Sequence, residues 1–481
     1  MPQHFDLCIP GAAKNTETLS VYAPHDRRLI ATMATADQET VDIALNNAHS
    51  LFEDRSRWLT KEKRLKILKK TAELMAENFE FLALEAAREG GKPLRDSRVE
   101  VARAIDGLQV CIDVLRTSAG TEIPMHINST SAFKLAFTHL EPIGVVVAVS
   151  AFNHPVNLIV HQVAPAIAAG CPVIVKPAED TPLSCFHFVR LLYQAGLPEE
   201  YCQCLMTRDT DITEHLVTSP LIGFFSFIGS AKVGWMLRSK LAQGTRCALE
   251  HGGAAPVIVA EDANLDATIP KLTKGGFYHA GQVCVSVQRV FVHRSIAGIF
   301  SDAFAEAVNA LRVGDPELDS TDVGPLIRPG EVDRIETWIN EAISSGAQVK
   351  AGGKRVSSTT FQPTLLYDPP GHCKVSLQEI FGPVVCVYPY DNIDEAIRRA
   401  NALPFAFQAS IFTKDIDRAM KAFNQLNASA IMINEHTAFR VDWMPFSGLK
   451  QSGLGVGGIP WTFRDMQIEK MMVMHSDELK V

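Results

Sequence analysis

Gly144-Val145-Val146-Val147-Ala148-Val149-Ser150 is a continuous apolar run that leads straight into Ala151-Phe152-Asn153-His154-Pro155. Such a run, rich in β-branched residues, predicts a strand buried on both faces, as in a parallel sheet covered by helices. The rhythm repeats toward the C-terminus. Pro155 is placed to be the first residue of a helix that Gly170 ends. A strand at 172–175 follows, and Thr181-Pro182 supplies a cap and first-turn proline for a helix to residue 195. Strands at 203–207, 223–227 and 245–250 then alternate with helices at 211–219 and 231–241. Five strands alternating with helices predict a parallel, doubly wound α/β sheet. A second α/β unit opens at Pro256-Val257-Ile258-Val259. It continues through helices at 296–311, 329–345 and 394–402 and strands at 364–367 and 384–390.

Toward the N-terminus, 19–22 and 29–32 read as short strands, with a helix from about residue 37. Leu65, Leu68, Ala72, Met75, Phe79 and Leu82 recur at spacings of three and four and predict one amphipathic helix over 61–88, closed by Gly90-Gly91-Lys92-Pro93. A second long helix is expected over 96–119. Residues 121–140 and 466–475 alternate weakly and fall outside the α/β rhythm. They suit either an arm that pairs with another subunit or a surface hairpin.

The chain has 481 residues, 46 Lys+Arg against 54 Asp+Glu, and a net charge of −8. No basic block is present, which argues against a nucleic-acid partner. The most apolar stretch, 142–175, is interrupted by Asn153, His154, Asn157, His161 and Gln162, so no membrane span is expected. The first ten residues lack the pattern of a signal peptide. The ten cysteines form no CxxC pair and no metal-ligand spacing, so reduced thiols, a cytoplasmic location and no metal site are expected.

Parallel sheets bind ligands beyond the carboxyl ends of their strands. Four such ends carry polar residues: Asn153-His154, Lys176-Pro177-Ala178-Glu179, Ile228-Gly229-Ser230 and Glu250. The Gly229-Ser230 turn opens a helix, whose free N–H groups either hold phosphate or are simply capped by Ser230. Lys176 and Glu179 suit the hydroxyls of a ribose, and the carboxylate would repel a 2′-phosphate. No GxGxxG follows an early strand. In Gly281-Gln282-Val283-Cys284-Val285-Ser286 a thiol sits where a helix-like run (266–280) meets a strand-like run (289–293). Cys284 is therefore either a core thiol or a nucleophile facing a cleft. The Asn153 amide and the Cys284 backbone N–H suit an oxyanion, and Glu250 suits a base.

Phe152-Asn153-His154-Pro155, Lys176-Pro177-Ala178-Glu179, Gly229-Ser230, Leu249-Glu250-His251-Gly252-Gly253, Gly281-Gln282-Val283-Cys284, Glu379-Ile380-Phe381-Gly382-Pro383 and Pro445-Phe446-Ser447-Gly448 occur in that order. In this set and spacing the chain resembles the NAD(P)-dependent aldehyde dehydrogenase superfamily over nearly its whole length. The resemblance implies a Rossmann-type cofactor domain (1–120 and 142–252), an α/β catalytic domain (253–450) and a β oligomerisation arm (121–141 and 462–481). It implies Cys284 as nucleophile, Asn153 in the oxyanion hole and Glu250 as the base that activates water. Lys176, Glu179, Gly229, Ser230, Glu379 and Phe381 become the cofactor contacts, with NAD expected and NADP possible. A homodimer or homotetramer is implied, acting on a small-molecule aldehyde.

By the same resemblance, Gly107, Cys111, His154, Asn157, His161, Val283, Val285, Phe439 and Phe446 are expected along the substrate tunnel, with Arg103 and Arg440 beside it. That lining suits a short polar or anionic aldehyde, and it looks closest to the lactaldehyde and phosphonoacetaldehyde dehydrogenase branches. Alternatively both arginines are ordinary surface or ion-pair residues. Three positions depart from the commoner pattern: His154, Gln162 where many relatives have lysine, and His251 where leucine is common. Two alternatives stay open: a CoA-acylating semialdehyde dehydrogenase, which a retained Glu250 argues against, and a cysteine esterase or non-catalytic binding protein on the same fold.

Overall fold

A computed structural model describes residues 3–13 and 17–479. Residues 1–2 and 14–16 of the expected first domain and 480–481 of the expected arm lie outside the described residues.

Two large sheets dominate. The first has six strands in the order Cys202–Cys204, Val173–Lys176, Val145–Val149, Ile222–Ile228, Arg246–Glu250 and Gly453–Leu454. Five are parallel, as the βα alternation predicts. The sixth comes from near the C-terminus, runs antiparallel and has no counterpart in the sequence reading. Chain order reverses at Val145–Val149, whose neighbours are the second and the fourth parallel strands in sequence. A doubly wound sheet opens its ligand crevice at such a reversal. The register is level there: Val149 lies opposite Lys176 on one side and Phe227 on the other, and Ile228 lies opposite Glu250. The polar strand ends therefore reach one edge together.

The second sheet has seven strands, in the order Gln348–Ala351, Thr364–Tyr367, Val384–Tyr390, Val287–His293, Ala255–Val259, Gln408–Phe412 and Ala430–Ile433. A separate three-stranded sheet joins Glu122–Ile123, Lys134–Pro142 and Gln467–His475. Its two longer strands pair antiparallel from Gln467↔Pro142 to His475↔Lys134 and leave Phe137, Met471, Met472, Val473 and Met474 exposed.

Several boundaries move for physical reasons. The expected helix over 61–88 is two helices, Lys61–Glu77 and Phe79–Gly90, divided at Asn78 (φ −104°, ψ 20°). The Asn78 side chain donates to the Leu74 carbonyl and competes with the helical ladder. Pro155 does not begin its helix, which runs Asn157–Ala169, and Thr181 does not cap the next, which runs Leu183–Gln194. Both helix starts are closed by buried glutamates from distant helices. Glu100 accepts N–H bonds from Val156 (2.9 Å) and Asn157 (3.0 Å). Glu89 accepts from Leu183 (2.7 Å) and Ser184 (2.9 Å). Carboxylates favour helix N-termini, where N–H groups lack partners.

Glu100 also pairs with Lys92, and both side chains are fully buried. Removing one partner of a buried pair strands the other charge and costs about 3–5 kcal/mol. Lys92→Met is accordingly expected to lower unfolding free energy by about 3 kcal/mol. Adding Glu100→Gln should recover part of that loss. Denaturant midpoints of the three proteins check this, and equal midpoints would refute it.

Candidate active site

The cysteine loop is built from strained backbone. Helix Leu265–Phe277 gives way to a turn in which His279 (φ 48°), Ala280 (φ 53°) and Gly281 (φ 70°) are all left-handed. The expected helix to residue 280 therefore stops three residues early. A side chain at Gly281 would overlap the Gly382 carbonyl, so glycine is required there. Each non-glycine residue in this region costs roughly 1–3 kcal/mol and persists only where its surroundings hold it. Gln282 supplies that hold: its amide donates to the His279 and Pro325 carbonyls, and its oxygen accepts from the Ile327 N–H at 3.0 Å. Thr437 donates to the Val285 carbonyl at 2.7 Å, and Ser286 reaches the helix end at Gly275 and Gly276. Val283 and Val285 pack with Phe407 and Phe446 beneath half-buried Cys284.

Cys284 opens into a cavity of about 650 Å³. The structure brings Asn153, Lys176, Glu179, Gly229, Ser230 and Glu250 to this space from the first sheet, and Glu379 and Phe381 from the second. His154, Asn157, Arg103, Val283, Val285, Phe439, Arg440 and Phe446 line it too. His161, Gly107 and Cys111 do not. His161 is buried behind the wall against Asp442, Gly107 packs on Ile459, and Cys111 is fully buried. The family resemblance implied them as lining, but the packing of their helices turns them away from the cavity.

Asn153 donates one amide N–H to the Gln282 carbonyl at 2.9 Å, which fixes the amide plane and leaves its second N–H for a ligand. Burial pushes the Cys284 thiol up to about 12, with Arg440 opposing and Glu250 and Glu379 adding to the rise. Burial also raises Glu250 above the usual carboxylate range, against the pull of Arg440. Glu379 is pushed up to about 8 by burial, against the Gly253 N–H it accepts and the charge of Arg334. Glycines make room for both carboxylates: a methyl group at Gly252 would overlap Glu379, and one at Gly457 would overlap Glu250.

The donor set suits a dinucleotide. Lys176 is buried, yet among the described residues its ammonium meets only the Pro177 carbonyl (3.5 Å) and Glu179 (3.9 Å). Ser230 precedes helix Ala231–Arg238 without capping it, which leaves that helix's first N–H groups open at the cavity. Ser150 Oγ, on the lining, is buried and has no hydrogen-bond partner among the described residues. No cluster of metal-ligating side chains occurs among the described residues.

The departures are held locally, although Gln162 Oε1 and His251 Nε2 stay buried without a partner among the described residues. Gln162 donates to Val149, Ser226 O and Ser226 Oγ behind the sheet. His251 Nδ1–H donates to the Gly229 carbonyl at 2.9 Å, and His154 meets the Tyr278 hydroxyl at 3.3 Å. Sequence reasoning missed Tyr278 and Asp442, which lie in irregular stretches without periodic pattern.

A thiol near 12 has a thiolate fraction that grows tenfold per pH unit across neutrality. Iodoacetamide alkylation of Cys284 without cofactor should therefore climb tenfold per unit from pH 7 to 10 with no plateau. Peptide mass spectrometry separates it from Cys8 and Cys247, the other half-buried thiols. A plateau below pH 9 would contradict this environment.

Residues 12–472 match the family model described as "Aldehyde dehydrogenase family". The 3-sulfolactaldehyde dehydrogenase of Priestia aryabhattai is 35% identical over 474 residues, covering 98% of each chain. An aldehyde dehydrogenase of Physcomitrella patens, solved with its reaction product succinate, superposes with a TM-score of 0.94 at 32% identity, covering 99% of each chain. The glyceraldehyde-3-phosphate dehydrogenase of Methanocaldococcus jannaschii, solved with NADP, gives 0.92 at 33% identity, covering 96% of this chain and 100% of the other. The chain thus belongs to the aldehyde dehydrogenase family, whose members use NAD(P) to oxidise aldehydes to carboxylic acids.

Proposed function

We propose that the substrate is a short aldehyde carrying an anionic group, and that Arg440 receives it. The carrying observation is the charge balance of the cavity. Arg103 is matched by a bidentate bond to Asp442, at 3.0 and 2.7 Å. Arg440 has no carboxylate partner among the described residues, and its buried Nε is unpaired. Its guanidinium lies 3.6 Å from the centre of the Phe446 ring and is close enough to Cys284 and Glu250 to pull on both. The relatives act on or hold sulfonated, phosphorylated and carboxylated molecules, which supports the same reading. A 3-sulfolactaldehyde combines the hydroxyaldehyde of lactaldehyde with a strong acid, much as phosphonoacetaldehyde pairs an aldehyde with one.

In this reading Cys284 gives up its proton toward Glu250 or solvent, and its sulfur adds to the carbonyl carbon. The free N–H of Asn153 and the backbone N–H of Cys284 hold the resulting oxyanion. Bound NAD(P) supplies the acceptor for the hydride leaving that carbon, so a thioester remains on Cys284. Glu250 then takes a proton from water, whose oxygen attacks the thioester, and the acid leaves as the thiol reforms. The unit built on the six-stranded sheet holds the adenosine end through Lys176, Glu179, Gly229 and Ser230, and Glu379 and Phe381 hold the nicotinamide end. Glu179 favours NAD, although its half-exposed side chain, only 3.9 Å from Lys176, has room to move aside for NADP. The relatives described above are named as dehydrogenases, which favours this reading over the CoA-acylating, esterase or binding-protein alternatives.

We further propose that the exposed methionine-rich strand Gln467–His475 is the arm of a homodimer or homotetramer. The compartment proposed is the reducing cytoplasm, which suits ten free thiols. No described helix is long and apolar enough to cross a membrane.

Three measurements check these statements. Short aldehydes bearing sulfonate or carboxylate should exceed propanal in kcat/KM, and Arg440→Met should cut that ratio roughly 10- to 100-fold, as expected for a lost charge-assisted bond. A ratio that Arg440→Met does not touch would end the anionic reading. Cys284→Ser should lose NAD(P)H formation, and full activity would remove the thiol from the mechanism. Light scattering should give twice or four times the 52.7 kDa chain mass, and a monomer would refute the arm.

A further inference from the structure

Behind the cavity wall lies a buried polar cluster that the mechanism leaves unused. Its centre is Asp442, 1% exposed, in the irregular segment that also carries Arg440. Its carboxylate accepts from Arg103 on helix Leu94–Thr117 and from Asn157 (3.1 Å) and His161 Nε2 (2.7 Å) on helix Asn157–Ala169. Its backbone carbonyl accepts the Ile459 N–H at 3.2 Å.

The bond to Asp442 places the His161 proton on Nε2, because a carboxylate can only accept. Nδ1 is left with a bare lone pair, and Arg440 Nη2 donates to it at 3.4 Å. Burial pushes His161 down to about 4, so the ring is neutral near pH 7 and the lone pair stays available. Asp442 is held well below the carboxylate range by His161 and Arg103, against its burial. Asp442 and Arg103 cancel and His161 is neutral, whereas Arg440 has no ion-pair partner within contact distance among the described residues and feels the charge of Glu250 from further off.

We propose that Asp442 and His161 form a positioning pair that aims Arg440 and so sets the preference for anionic aldehydes. Asp442 fixes the His161 tautomer, and His161 Nδ1 grips one edge of a guanidinium whose face rests on Phe446. Arg440 so held lines the cavity beside Cys284 and Glu250, which is where a substrate anion would meet it. The pair touches neither substrate nor thiol, which separates it from the catalytic residues. This inference rests on the anionic-substrate reading.

The test compares a sulfonated or carboxylated three-carbon aldehyde with propanal in the wild type, His161→Leu, Arg440→Met and the double variant. His161→Leu should lower the anionic-over-neutral kcat/KM ratio about tenfold, through KM for the anion rather than kcat. In the double variant the ratio should equal that of Arg440→Met alone, because His161 acts through Arg440. Equal losses on both aldehydes, or losses that multiply in the double variant, would overturn the proposal and mark His161 as structural. Should Arg440→Met leave the ratio unchanged, the anionic reading itself fails. Should it collapse the ratio while His161→Leu does not, only the positioning pair fails. His161→Asn, too short to bridge Asp442 and Arg440, carries the same expectations if the leucine variant does not fold.

Discussion

The hydrogen bond nearest the thiol, among those joining the two halves of this molecule at the cavity, holds Asn153 to the cysteine loop. The Asn153 amide, at the end of the first sheet's central strand, donates to the carbonyl of Gln282, two residues before Cys284. A carbonyl can be offered at that point only because three consecutive residues before it are left-handed and Gln282 is fastened at both ends of its amide. The helix after Asn153 is in turn anchored by Glu100, a buried acid from another helix. Strain on one side of the cavity and buried charge on the other thus position the same pair of groups.

Burial weighs against charge throughout the cavity. Burial raises Cys284, Glu250 and Glu379 together, because a charged form in this enclosed space lacks the hydration it has in water. Neighbouring acids reinforce the effect at the thiol. Among the described residues, Arg440 is the cation that opposes it at both Cys284 and Glu250. One guanidinium therefore bears on thiol activation and on the charge a substrate must bring.

The parallel sheet was legible because a double-sided burial pattern leaves a mark in the sequence: Val145–Val149 is apolar at every position and fully buried. Strand ends followed from the alternation, since parallel strands with a level register must deliver their carboxyl ends to one edge. The helix division at Asn78 was not legible, because the apolar spacing runs on across it. The helix starts at Asn157 and Leu183 were misread because their caps come from Glu100 and Glu89, 57 and 94 residues away in sequence. A cap supplied through space leaves no local signal.

The sequence by itself determined the sheet class, the family resemblance and which thiol, acid and amide stand together, because each is written in local pattern or motif order. Only the tertiary structure decided that His161 stands behind the wall rather than on it, that Asp442 cancels Arg103, and that Arg440 has no ion-pair partner within contact distance among the described residues. The reason is physical. Whether an arginine is free depends on which carboxylate packs against it, and Asp442 lies 339 residues from Arg103 along the chain.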